Sequence, residues 1–401
     1  MEKGLGMFFE AFLNKESVFF DKKVLQSSYI PETILHREDQ VKQIANIIAP
    51  ALRGDKPSNI FVYGKTGAGK TLTIRHTTQK LIEIAEKGSI PLKTIYINCK
   101  LKRSADTEYR LIAQLARELG KSIPPTGLPT EEVYKAFFKA LNRQNQNHIL
   151  ILDEIDQLVD KTGDNALYNL TRINEEQTES QISIIGISNN LMFVDSLDPR
   201  VRSSLSEEEI LFPPYNAPQL QAILRQRAES SFKKDAIEQG VIEKCAAYAA
   251  RDHGDARRAL ELLRVAGELA DRKNSDKIII EHIDLAEQKI DRDRIIDITS
   301  TQPKQYQLVL YSIISSQTQK NSNIFTGEVY EIYKSLCSKT NINILTQRRV
   351  SDIISEFDML GIVNAKVISK GRYGRTRDIS IEIPENLLPR IKSMLEDSIR
   401  V

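Results

Sequence analysis

Residues 59–73 constrain this chain more than any other stretch. A short apolar run, Ile60-Phe61-Val62-Tyr63, leads into Gly64-Lys65-Thr66-Gly67-Ala68-Gly69-Lys70-Thr71, and a helical pattern follows from Leu72 to Ala85. A glycine, four residues and Gly-Lys-Thr between a strand and a helix make the full phosphate-loop pattern. Gly64, Gly67 and Gly69 let the backbone curl with its N–H groups pointing inward, so that a triphosphate is received at a helix N-terminus. In such a loop Lys70 reaches the β and γ phosphates and the Thr71 hydroxyl ligates magnesium, so ATP or ADP with Mg2+ is the expected cofactor. The fold class that follows is α/β.

At 401 residues the chain exceeds one ordinary core, which implies two or three domains. Its net charge of +2 does not by itself point to nucleic acid, so any such partner must be argued from local clusters of charge. Cys99, Cys245 and Cys337 are far apart and lack metal-ligand spacing, which argues against a disulfide framework or a zinc site and reads as packing. The stretch from Met1 to Leu13 has no signal-peptide pattern, and no apolar run approaches the roughly 20 residues needed to span a bilayer. The expectation is a soluble, cytoplasmic protein.

Further along, Ile149-Leu150-Ile151-Leu152 ends in Asp153-Glu154. This is a buried parallel strand whose tip presents Asp153 to the magnesium of Thr71 and Glu154 to an attacking water. A second apolar strand, Ile182 to Ile187, ends at Ser188-Asn189-Asn190, where an amide can meet the γ-phosphate or the water. Asp198 to Ser204 reads as an exposed turn carrying Arg200 and Arg202, either of which could be offered to a nucleotide in a neighbouring subunit. After Glu209-Ile210-Leu211-Phe212 and Pro213-Pro214 the pattern becomes helical only: Pro218 to Ser231, Ala236 to Ala250, Asp255 to Asp271 and Ile279 to Ile290. Asp255 is a plausible N-cap there. Arg257 sits in a first turn whose dipole disfavours cations, which implies another partner such as a phosphate.

The last hundred residues give three helical patterns, Gln305 to Ser316, Thr326 to Lys339 and Thr346 to Leu360. Two β-rich runs follow, Ile362 to Ser369 and Arg377 to Ile383, joined by Lys370-Gly371-Arg372-Tyr373-Gly374-Arg375-Thr376. Three helices and a glycine-containing hairpin are the order of a winged helix-turn-helix, with the third helix as groove reader. Lys366, Lys370, Arg372, Arg375 and Arg377 lie in a stretch without acids, and Tyr373 can lie against sugars at the tip. If four of these cations each neutralise a phosphate, log affinity falls with log salt at a slope of roughly −3.6. In the third helix Gln347, Arg348, Arg349 and Ser351 are the candidates for base edges, and Asp352, Glu356 and Asp358 are expected to point away.

Together these residues resemble the AAA+ ATPases, and within them the archaeal origin-recognition and cell-division-control initiators. The resemblance rests on Tyr29-Ile30-Pro31-Glu32, His36-Arg37-Glu38, the two phosphate motifs, Gly186 to Asn190, Leu197 to Leu205 and Gly254-Asp255-Ala256-Arg257-Arg258-Ala259-Leu260. It implies an AAA+ base with N-terminal arm over 1–216, a helical lid over 217–298 and a winged-helix DNA-binding domain over 299–401. It also implies that Asn189 is the sensor-one residue, Arg257 the sensor-two residue of the same subunit, and Arg200 or Arg202 a finger acting in trans. Ile30, His36, Arg37 and Tyr215 would join the loop around the nucleotide, and Lys100, Lys102 and Arg103 fall where initiators carry an added DNA-touching helix. The implied function is an ATP-dependent replication initiator that binds origin duplex and acts as an ATP/ADP switch for remodelling and helicase loading, with slow hydrolysis. The replicative helicase and a paralogous initiator subunit are the implied protein partners. The rivals are an ATP-gated winged-helix transcription regulator and a clamp-loader-like ATPase; the second predicts no basic wing.

Overall fold

The computed structural model describes residues 16–100, 107–124, 126–143, 146–176, 180–319, 324–369, 375–384 and 386–399. The chain divides into two compact units, residues 1–283 and 284–401.

In the first unit the elements run α1 (Glu38–Ile48), β1 (Ile60–Gly64), α2 (Lys70–Lys87), β2 (Leu92–Asn98), α3 (Glu108–Glu118), α4 (Thr130–Leu141) and β3 (Asn147–Asp153). They continue with α5 (Ile155–Thr162), α6 (Asn165–Glu176), β4 (Ile182–Ser188), α7 (Pro199–Leu205) and β5 (Glu208–Phe212), then the helices α8 (Ala217–Ser231), α9 (Val241–Arg251) and α10 (Ala256–Arg272). The five strands form one sheet in the order β2-β3-β4-β1-β5, every pair parallel.

Parallel strands joined by helices are covered on both faces, which is why β3 and β4 are apolar without alternation. Ile149 and Ile151 pack with Ile60, Val62, Ile185 and Ile187 against α1 and α2, whereas Leu150 and Leu152 face the opposite core with Phe61, Leu111 and Phe137. The register sets Asp153 opposite Ile187, and Tyr63 opposite Ser188, so the tips of β1, β3 and β4 end together. In an open α/β sheet that edge is where ligands bind.

The helix α11 (Ile280–Thr301) contains the boundary between the two units. The second unit goes on with α12 (Lys304–Gln319), β6 (Ile324–Phe325), α13 (Thr326–Thr340), α14 (Gln347–Met359), β7 (Val363–Ser369), β8 (Arg375–Ile381) and α15 (Leu388–Ile399). Its strands form an antiparallel sheet in the order β6-β8-β7. Its core gathers Leu308, Ile313, Tyr333, Ile353, Phe357, Ile379 and Leu395.

Several elements depart from the sequence reading. The stretch expected to be an exposed turn at 198–204 is the helix α7, because Asp198 caps it by accepting from the Arg200 N–H, Pro199 occupies its first turn, and Val201 and Leu205 bury one side. The helix expected from Ala236 begins at Val241, after Gly240 with φ +90°. The one expected to end at Ile290 runs on to Thr301. The helices α5, α6 and α15 were not foreseen. Among the described residues no helix is long and apolar enough to cross a membrane.

Candidate functional site

The loop after β1 closes on the N-terminus of α2. Gly67 has φ +73°, and a Cβ there would collide with the carboxylate of Asp255; Gly69 has φ +89° and a Cβ there would stand 2.7 Å from the Tyr215 hydroxyl. Only glycine satisfies both demands. Lys65 and Thr66 are exposed, and Ala68 is buried with its N–H on the Lys65 carbonyl.

Lys70 is 5% exposed. Its ammonium donates to the carbonyls of Gly64 at 2.7 Å and Lys65 at 2.8 Å, and to Asn189 Oδ1 at 2.8 Å. Burial, and next the positive charge of Arg257, push its pKa down to about 8. The Thr71 hydroxyl donates to Asp153 Oδ2 at 2.9 Å, and the Tyr96 hydroxyl to the same oxygen at 2.7 Å. Burial, and then that carboxylate, push the Tyr96 phenol far up. Glu154 follows in the left-handed region with φ +55°; its carboxylate is 3.6 Å from the ammonium of Lys100.

The tandem asparagines separate in space. Asn189 meets Lys70, whereas Asn190 builds a turn, its N–H on the Ser188 hydroxyl and its Oδ1 accepting from the Met192 N–H. Arg257 lines the cleft together with Gly67 to Thr71, Asp153, Glu154 and Asn189. Arg258 instead stands 3.7 Å from Asp252.

The helix α10 reaches this loop through its own first turn. Asp255 accepts from the N–H groups of Arg257 at 2.7 Å and Arg258 at 3.2 Å, and the Ala256 N–H donates to the Gly67 carbonyl at 3.3 Å. Beyond the loop the cleft widens into a cavity of 120 Å³, bounded by residues 26–31, Leu72, Tyr215, Ile223, Arg227 and Leu260.

Ile30 and Tyr215 line that cavity; His36 and Arg37 do not. The Arg37 side chain is used within the protein: its Nε donates to the Ala68 carbonyl at 3.0 Å, its Nη2 donates to the Pro213 carbonyl, and its guanidinium lies 4.0 Å from the centre of the Tyr215 ring. It holds the loop from behind. His36 has φ +60° and a buried Nε2 without a partner among the described residues. Arg200 pairs with Asp198 at 3.1 Å over the Tyr168 ring, Arg202 pairs with Asp195 at 3.0 Å, and neither lines the cleft.

The oxygens around Asp153 suit a small hard cation. Among the described residues no group of three or more His, Cys, Asp or Glu could hold a metal ion alone. A hydroxyl and one carboxylate are a fitting partial set for Mg2+, which takes its remaining ligands from water and phosphate.

In the second unit Gln347, Arg348, Ser351 and Asp352 of α14 line an open groove with Thr326, Val367, Thr376 and Arg377. The Arg377 Nε donates to the Ser351 hydroxyl at 3.2 Å. Arg349 turns out of this groove, donating to the Tyr306 hydroxyl at 3.0 Å and standing 3.6 Å from Glu356. Of the acids expected to face away, Glu356 binds the Tyr306 hydroxyl and Asp358 accepts from the Ala365 N–H, but Asp352 lies in the groove. Its position one turn beyond Arg348 puts both on one face of α14. Lys366 is exposed on β7 opposite Asp378. Lys102, Arg103, Lys370, Arg372 and Tyr373 lie outside the described residues, as does the side chain of Arg375.

Sequence reasoning missed Tyr96, Arg227 and the contact of Asp255 with Gly67. Arg227 left a signal, since it falls at helical spacing with Leu220, Leu224 and Ser231, all buried. A cation on an apolar face implies a partner.

Three family models match: an AAA domain over residues 53–191, the Cdc6 AAA+ ATPase-type lid domain over 221–288 and the CDC6 C-terminal winged helix domain over 297–389. The ORC1-type DNA replication protein 1 of Methanosarcina mazei is 49% identical over 392 residues, covering 97% of this chain and 93% of that one. That of Archaeoglobus fulgidus is 50% identical over 394 residues, with 98% and 94% covered. The structure of the Aeropyrum pernix ORC1 protein in complex with DNA is 43% identical, with a TM-score of 0.86 and 96% and 98% covered.

Proposed function

Because this chain belongs to the Cdc6/ORC1 family of DNA replication proteins, we propose that it is an ATP-dependent initiator that binds origin duplex and switches between ATP and ADP states. The carrying observation is the convergence of Lys70, Thr71, Asp153, Asn189 and Arg257 on one cleft, in a chain that also has a groove lined by Arg348 and Arg377. The working division is a base over 1–216, a lid over 217–298 and a winged helix over 299–401.

In this reading the loop N–H groups and Lys70 hold the phosphates, and the cavity beside Ile30 and Tyr215 takes the base. Thr71 and Asp153 would hold Mg2+, which would supply positive charge to offset that of the phosphates. Glu154 orients the water once released from Lys100, Asn189 positions the γ-phosphate, and Arg257 reports from the lid on the nucleotide below it. Two exposed arginines, Arg200 and Arg202, are the candidates for a nucleotide in a neighbouring subunit, a paralogue included. Hydrolysis is slow, as a switch requires, and the product of the switch is origin remodelling and loading of the replicative helicase. Action on chromosomal DNA places it in the cytoplasm, at the nucleoid. The DNA complex of the Aeropyrum pernix ORC1 protein favours this reading over a clamp-loader-like ATPase.

The test is binding of the full chain to two duplexes at fixed salt, one with origin repeats of the parent genome and one scrambled. A preference above about tenfold, or ~1.4 kcal/mol, is expected. Equal binding, together with occupancy at promoters when bound sites are mapped, would move the reading to a transcription regulator.

A further inference from the structure

Arg227 is 4% exposed, yet no carboxylate among the described residues pairs with it. Its Nη1 donates to the Val24 carbonyl at 3.5 Å, the limit of a hydrogen bond, and its Nε has no acceptor among the described residues. The guanidinium carbon lies 4.6 Å from the centre of the Tyr29 ring. That stack occupies the flat face of the group and leaves its N–H bonds in the plane. A buried donor without an acceptor is costly, so what else meets this guanidinium matters.

The position of Arg227 says which part of a ligand that partner is. The phosphate end of the cleft is formed by Gly67 to Thr71, Asp153, Asn189 and Arg257, and Arg227 is not part of it. Arg227 lines the far end, one turn along α8 from Ile223, beside Tyr29, Ile30 and Leu260. A mixed slot, with Ile30, Ile223 and Leu260 beside a guanidinium, suits a purine, whose flat ring takes apolar contacts and whose ring nitrogens accept.

We infer that Arg227 is a base-reading residue of the nucleotide site, its guanidinium donating to a ring nitrogen of the adenine. The inference rests on the nucleotide-site reading above. The Tyr29 ring packs against the guanidinium. Burial with no anion lowers the pKa of this arginine, and an acceptor in the slot relieves the strain that burial sets up.

Titration calorimetry on the full chain tests this with ATP, its 1-deaza, 3-deaza and 7-deaza analogues, and inorganic tripolyphosphate, using wild type and Arg227→Met. The variant is expected to bind ATP about tenfold more weakly and tripolyphosphate unchanged. One deaza analogue should bind both proteins alike, because the acceptor is already missing. A variant that loses affinity for ATP and tripolyphosphate by the same factor overturns the inference. So does wild type that binds all three analogues as tightly as ATP, a result that needs no variant to fold. If wild type binds neither ATP nor tripolyphosphate, the nucleotide-site reading itself falls, and this inference with it.

Discussion

Lys70 and Asn189 are 119 residues apart in the chain and meet at 2.8 Å, the ammonium donating to the amide oxygen. With Oδ1 engaged, the amide NH2 of Asn189 is left for the cleft that the two share with Asp153 and Glu154. A residue that only steadied Lys70 would affect binding, whereas one that meets the γ-phosphate or the water acts on turnover. For Asn189→Ala we expect the single-turnover rate to fall about 100-fold. The Kd for ATP should stay within about threefold; a loss of affinity with the rate preserved would reverse the assignment.

Asp255 links the lid to the phosphate loop by capping α10 directly above Gly67. Asp255→Ala removes an acceptor from two N–H groups and is expected to cost about 1 kcal/mol. A fall of roughly 2 °C in the melting temperature of the N-terminal unit follows. Asp255→Asn keeps an acceptor and should melt close to wild type. If both variants melt alike, the cap contributes nothing beyond its charge.

The phosphate loop, the acidic strand tip and the winged-helix order were legible because each is a local pattern: glycines at fixed spacing, an apolar run ending in acids, a basic hairpin after three helices. What the sequence hid is set by contacts between distant segments. Arg37 carries the motif expected at a nucleotide, yet its guanidinium is used on the Ala68 and Pro213 carbonyls. Arg349 stands beside Arg348 in sequence but points to Tyr306, because successive helix positions are about 100° apart. The turn expected at Arg200 and Arg202 is a helix whose apolar pair, Val201 and Leu205, needs the core it packs on to be recognised.

His148 opens β3 at 1% exposure, and neither ring nitrogen has a partner among the described residues. Burial, then the charge of Lys93, lower its pKa to about 4 from 6.5. The folded state therefore binds this proton less readily than the unfolded chain, so the stability is fully present above pH 6.5 and is lost as pH falls toward 4. At pH 5 the loss is about 2 kcal/mol. His148→Leu should remove that acid limb, read as a smaller difference between the urea midpoints of the N-terminal unit at pH 7.5 and pH 5. An unchanged difference would assign the acid sensitivity to other groups.

Asp352 shares its groove with Arg348 and Arg377, so opposed charges meet any phosphate that approaches. If each arginine neutralises one phosphate, Arg348→Ala with Arg377→Ala should make the plot of log affinity against log salt shallower by about 1.8. Asp352→Ala should act in the other direction, raising affinity for scrambled duplex by about threefold at low salt and less at high salt, since screening weakens the repulsion it removes. The gain is non-specific, so the preference for origin over scrambled duplex narrows. Fluorescence anisotropy across a salt series measures slope and preference together. An unchanged slope in the double variant would remove this groove from the DNA interface, and a loss of affinity in Asp352→Ala would mean that the carboxylate accepts a hydrogen bond from the DNA.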